Sequence, residues 1–148
     1  MGMRRLFIIR KDLHLSAGKL GAMVAHCAEG YWMRLIMSGK AFDNGGNSDI
    51  TINIDNEIVD DYIKGIFTKT ICEAKNLNHL MKVVDVANEL GLKQGIDYDF
   101  IDDVCHTELT PEFTDENGVP RCRVGIWFKP LKDDISKQLS KKYQLYKN

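Results

Sequence analysis

Two short stretches hold the residue types most able to do chemistry. In "SAGKLG", residues 16–21, Lys19 lies between Gly18 and Gly21 where an apolar helix begins. The first turn of a helix already carries the positive end of its dipole, so an ammonium is out of place there unless an anion visits. In "FIDDVCHTEL", residues 100–109, a strand ends in Asp102 and Asp103, with Thr107 four residues beyond the second. Strand ends in α/β sheets face the crevice where ligands gather, and neighbouring strand residues point to opposite faces. Only one of the two aspartates therefore faces a given cleft.

Other constellations fit less well. A phosphate loop needs a longer glycine run before the lysine and a Ser or Thr after it, and here Leu20 follows. His26-Cys27 and Cys105-His106 are adjacent pairs whose side chains diverge, without the i, i+3 or i, i+4 partner that completes a zinc site. A nucleophile pair of Cys105 with His26 or His106 stays open, although isolated core thiols are the commoner case. Cys27, Cys72, Cys105 and Cys122 show no CxxC spacing and sit in apolar segments, which reads as reduced, buried thiols in a cytosolic protein.

The elements that must position Lys19 and the aspartates follow from periodicity. "RLFIIR" is a short buried strand, and Ser16 is the expected N-cap of a helix starting near Ala17. Along it Leu20, Val24, Cys27, Tyr31 and Leu35 form one stripe, and Lys19, Met23, His26 and Gly30 a second beside it. Residues 38–50 read as a turn-rich polar excursion, "ITINID" as a strand and "NEIVDDYIKGI" as a short acidic helix. "FTKTICEA" is a strand. A helix follows, capped by Asn76 or Asn78, lined by Leu77, Leu80, Val84 and Ala87, and ended by Gly91. "YDFIDDV" and "RCRVGIWF" are strands, and Pro130 opens a final lysine-rich helix through "LKDDISKQLSKKYQLY". The β-α-β-α-β-β-α order implies a mixed sheet with helices on its faces.

With 148 residues, 44% of them hydrophobic, the chain suffices for one domain with a full core. No run reaches the 18 or more apolar residues of a membrane span, and the N-terminus does not read as a secretory signal. A cytoplasmic location without membrane contact is expected. The net charge of −1 argues against indiscriminate coating of nucleic acid. Charge is nevertheless unevenly spread. Residues 41–63 carry six acids and no Lys or Arg, the last twenty residues carry six lysines, and the first eleven carry Arg4, Arg5, Arg10 and Lys11. Both termini are thus locally basic, which permits contact with a polyanion without demanding it.

In order and spacing, "LFIIRKDL", "SAGKLGAMVAHCAEGYW", "KTICEAKNLNHLMKVVDVANELGL", "FIDDVCHTELTP" and "VGIWFKP" resemble the type 2 peptidyl-tRNA hydrolase family of archaea and eukaryotes. The resemblance runs from about Arg5 to Tyr146, with an insertion at about residues 39–62. It implies a single-domain α/β/α sandwich on a four-stranded mixed sheet. It also implies hydrolysis of the ester linking a peptide to the 3′ end of tRNA, with Lys19, His26, Asp103 and Thr107 as the site. No cofactor or metal is implied, peptidyl-tRNA is the partner, and a homodimer is compatible with so small a sandwich.

In this scheme Asp103 orients or deprotonates water, Thr107 fixes its carboxylate, and Lys19 holds a phosphate or the oxyanion. The lysine-rich last helix and the N-terminal arginines would carry the tRNA backbone. Met23, Ala25, Glu108 and Cys122 stand where the family usually has Gln, Ser, Gln and Thr. These departures favour one alternative, a catalytically reduced binding or dimerisation module, while the near-neutral net charge and the acidic insertion suit another, a hydrolase of another acylated small molecule or nucleotide.

Overall fold

The computed structural model describes residues 2–106 and 108–147. Its central strand, β1 (Met3–Arg10), is buried along nearly its whole length. A strand covered on both faces must be apolar on both, and the alternation divides it cleanly. Phe7 and Ile9 enter one core, and Leu6 and Ile8 enter the other.

Helix α1 (Ala17–Met37) starts at the expected N-cap, with Ser16 Oγ accepting from the Lys19 amide at 3.3 Å. Met23, Cys27 and Tyr31 are its buried residues. Gly30 allows the close approach: a Cβ there would overlap the buried Trp127 indole. Twenty-one residues make a rod about 31 Å long, which returns the chain to the far end of the sheet.

The polar excursion that follows is a hairpin of β2 (Lys40–Asn44) and β3 (Asn47–Thr51), paired only with each other. The expected strand "ITINID" therefore ends at Thr51. Gly45 and Gly46 take φ values of 60° and 89°, the left-handed pair that a tight two-residue turn requires. The acidic helix is a short α2 (Asn56–Ile58) running into a π turn over Val59–Ile63, which buries Ile58 and Tyr62 in the α1-side core.

The remaining elements are β4 (Thr68–Ala74), α3 (Leu77–Glu89), β5 (Tyr98–Asp103), β6 (Phe113–Thr114), β7 (Pro120–Phe128), β8 (Leu131–Lys132), α4 (Asp133–Ser140) and β9 (Gln144–Leu145). Asn76 caps α3; Leu80, Val83 and Ala87 are its buried residues, and the expected Leu77 and Val84 pack partly buried beside them. The sheet order is β5-β7-β1-β4-β9, with β6 on β7 and β8 on β1. The four long strands are those expected, and three two-residue strands enlarge the sheet to seven.

β1 is parallel to β4, while β7 is antiparallel to both β1 and β5. β1, β4 and β5 thus finish at one edge of the sheet. With α1 on one face and α3 and α4 on the other, the molecule is a three-layer α/β/α sandwich. The final helix stops at Ser140 rather than continuing to Tyr146, because Gln144 and Leu145 pair with Glu73 and Cys72 at the edge of β4.

Candidate active site

The edge where β1, β4 and β5 end brings Lys19 and Asp103 together. Lys19 Nζ donates to Asp103 Oδ1 at 3.0 Å, and the two side chains are only 14% and 9% exposed. The other oxygen, Oδ2, accepts the Cys105 amide at 2.9 Å, so each carboxylate oxygen holds one donor. That turn places Cys105 at φ 61°, a left-handed conformation uncommon for a side chain with a Cβ. Asp102 points to the opposite face, where Arg123 grips both its oxygens at 2.8 and 3.0 Å. The pleat has assigned the two aspartates different partners.

The first turn of α1 is tied down from a second direction. Glu108 accepts the Ser16 amide at 3.0 Å and the Ser16 hydroxyl at 2.7 Å. The same hydroxyl accepts from the Lys19 amide, so Glu108, Ser16 and Lys19 form a chain of contacts. The two Ser16 hydrogen bonds and, less strongly, the Lys19 charge hold the Glu108 carboxyl below its ordinary range.

Beneath these loops Arg10, almost fully buried, donates to both oxygens of Asp12 and both oxygens of Glu112. Burial opposes its charge, but the hydrogen bonds to Asp12 and Glu112 outweigh burial and raise its pKa. Arg10 joins the loop before α1 to the loop after β5, and so fixes both walls of the site. Sequence reading assigned this arginine to a polyanion. Asp12 is two positions away, but Glu112 lies 102 positions along the chain, too far for spacing to reveal it.

The N-terminal arginines as a whole are not free for a tRNA backbone. Arg5 is fully buried over Phe7, Tyr31 and Trp127, and donates to the carbonyls of Cys27, Ala28 and Phe128. Burial lowers its pKa to about 10. Arg4 pairs with Asp133.

His26 lies on the same flank of α1 as Lys19, but seven residues on, about 10 Å along the axis. It is exposed and lines a groove of about 330 Å³ with Glu29, Gly30, Phe100, Ile101 and Asp102. It stands apart from the Lys19–Asp103 pair. Thr107 lies outside the described residues. A thiol nucleophile is disfavoured: burial and the Asp103 charge raise the Cys105 pKa. Burial, then Glu112, pushes the Cys122 thiol up to about 12. Among the described residues no group of three His, Cys, Asp or Glu side chains is arranged to hold a metal ion. No helix among them is long and apolar enough to cross a membrane.

A family model described as peptidyl-tRNA hydrolase PTH2 matches residues 3–146. The chain belongs to the peptidyl-tRNA hydrolase PTH2 family. Among solved structures, a protein of unknown function from Agrobacterium tumefaciens is similar over 99% of both chains, with 13% identity and a TM-score of 0.56, a likeness of fold alone. No match was found among curated proteins. Met23 and Cys122 are both sealed in the core beside α1.

Proposed function

We propose that the chain hydrolyses the ester joining an N-substituted aminoacyl group to the 3′ end of tRNA, acting in the cytoplasm. The observation that carries this reading is the 3.0 Å contact between Lys19 and Asp103, 84 positions apart in sequence and largely sheltered from water. Membership of the PTH2 family supports the substrate class.

The proposed chemistry needs only these groups. Asp103 Oδ1 and Oδ2, each with one fixed donor, hold a water by the remaining lone pairs and accept its proton as oxygen attacks the ester carbonyl. The Lys19 ammonium, reinforced by the N-terminus of α1, lies where negative charge develops on the carbonyl oxygen. Collapse of the tetrahedral intermediate expels the ribose hydroxyl, which takes back the proton. Thr107 belongs to the proposed set by its place in the family's Asp-x-x-x-Thr spacing. His26, remote from the pair, contributes to binding rather than proton transfer.

A second reading, a binding module without turnover, draws support from the burial of Met23 and Cys122 where the family usually carries polar side chains. Hydrolysis of diacetyl-lysyl-tRNA decides between the two. Lys19→Ala and Asp103→Asn are each expected to lower turnover by about 10²–10³-fold while leaving the fold intact. Equal hydrolysis by wild type and both variants would falsify the assignment.

A further inference from the structure

The edge that carries Lys19 and Asp103 continues past β1 to β4 and β9. There it becomes basic although the chain as a whole has a net charge of −1. A pocket of about 390 Å³ is lined by Lys75, Lys141 and Lys142 together with Glu73, His79 and Tyr143. All three lysines are exposed, and none has a carboxylate partner among the described residues. Glu73 is the single acid of the pocket, and its carboxylate is engaged by the Lys147 amide and Gln144.

The pocket is built rather than accidental. His79 Nδ1 accepts the Lys75 amide at 2.9 Å, so Nε2 carries the proton and donates to the Lys142 carbonyl at 3.2 Å. Tyr143 stacks on the imidazole at 4.4 Å and donates its hydroxyl to the His79 carbonyl at 2.6 Å. One neutral histidine thereby clamps the backbones that present two of the lysines.

Between this pocket and the Lys19–Asp103 pair lies a second hollow, of about 590 Å³. Leu15, Leu20, Val24, Tyr146 and Lys11 are among its lining residues, and the Lys11 ammonium sits 4.4 Å from the Tyr146 ring centroid. Apolar walls, an aromatic ring and a cation are the parts from which single-strand binding sites are made, because every base has a π-face and every link a phosphate.

We propose that this edge is a track for a single-stranded RNA end. The last base is seated against Tyr146, and the backbone is led to Lys75, Lys141 and Lys142. The proposal rests on the reading of the substrate as an ester of tRNA, and adds the route by which its 3′ end arrives.

The test is binding of a labelled RNA hairpin with a single-stranded 3′ end, followed by fluorescence anisotropy across a salt series. Hydrolysis of a minimal N-acetylaminoacyl-adenosine ester is measured alongside. Lys141→Ala/Lys142→Ala should weaken binding about tenfold at low salt and reduce the salt slope by about 1.4, two single-strand phosphate contacts. Tyr146→Ala should weaken binding with the slope unchanged, and Lys64→Ala, at the other end of the molecule, should change nothing. Lys141→Ala/Lys142→Ala and Lys64→Ala should cleave the minimal ester like wild type, because that ester has no phosphate, whereas Tyr146→Ala should raise its KM by loosening the adenine. Wild-type RNA affinity and slope in the double lysine variant overturn the track, whatever the hydrolysis. Tighter lysine-dependent binding to anionic phospholipid vesicles than to RNA also overturns it. Failure of wild type to cleave the minimal ester overturns the reading of Lys19 and Asp103 instead, a separate readout.

Discussion

Glu108 holds Ser16 by both its backbone amide and its hydroxyl, joining two loops 92 residues apart at the first turn of the helix that bears Lys19. An acid near a helix N-terminus is electrostatically welcome, and this one also answers the positive charge that Lys19 adds there. The glutamate standing where the family usually has glutamine is thus a structural tie with a charge of its own.

That tie has an acid limit. The Glu108 carboxyl is held below its ordinary value of 4.5, first by the Ser16 hydroxyl and amide. The unfolded chain therefore binds the proton more readily. The contribution is complete above about pH 4.5 and fades as pH falls through the lower folded-state value. Thermal unfolding of Glu108→Gln, compared with wild type from pH 7 to pH 3, should show a smaller loss on acidification in the variant. Parallel curves would mean the carboxylate is not coupled to folding.

Lys19 and Asp103 should behave as one unit. Removing either leaves the other without its partner, so the Lys19→Met/Asp103→Asn double variant is expected to lose little more activity than the worse single one. Multiplicative losses in a kcat/KM cycle would argue that the two groups act separately.

Gly30 sets how closely α1 lies on the sheet. In Gly30→Ala the new methyl meets the buried Trp127 ring, and the overlap should cost about 1–3 kcal/mol despite the better helix propensity of alanine. Urea denaturation measures it. A stability gain of the kind expected at an open helical glycine would show that the helix can lift without penalty.

Arg10 is the hub under both site loops. Truncation to Met should cost about 2–3 kcal/mol, less than the about 3–5 of a fully buried pair, because Asp12 and Glu112 can still reach water. Amide exchange should rise in residues 11–16 and 108–112 together. An increase confined to one loop would contradict the shared anchoring.

Cys105 should matter for its backbone and not its sulfur. Glycine relieves the left-handed φ, and Cys105→Gly is expected to be neutral to about 1 kcal/mol stabilising, with hydrolysis retained. Loss of turnover in both Cys105→Gly and Cys105→Ser would restore the thiol nucleophile.

Local signals carried much of this architecture. Ser16 and Asn76 mark their helices because a side-chain oxygen at an N-cap needs no distant partner, and the double-sided burial of β1 is written in its uninterrupted apolar run. Where the outcome depended on remote partners, local pattern misled. Arg5 and Arg10 read as surface charge, yet the carbonyls on Arg5 come from more than twenty residues away, and Arg10, besides its neighbour Asp12, is held by Glu112 more than a hundred residues on. The last helix looked continuous to Tyr146, but Tyr143 stacks on His79 and the chain then pairs with β4. Val84 packs against the core as its spacing suggests, but Val83 beside it is the one fully buried, a distinction only packing makes. Lys19 and Asp103 were legible as chemistry, each at an element boundary, while the ties made by Glu108 and Glu112 were not.

The β2–β3 hairpin leaves α1 at its far end, a helix length of about 31 Å from the turn that carries Lys19. Phe42 and Ile50 face water there, shared with no other strand. A dye, a fused protein or a solid support fastened to that hairpin would neither shade the Lys19–Asp103 pair nor disturb the turn that carries the ammonium. The polypeptide has in effect two ends of business, and the one away from the chemistry is the natural place for a handle.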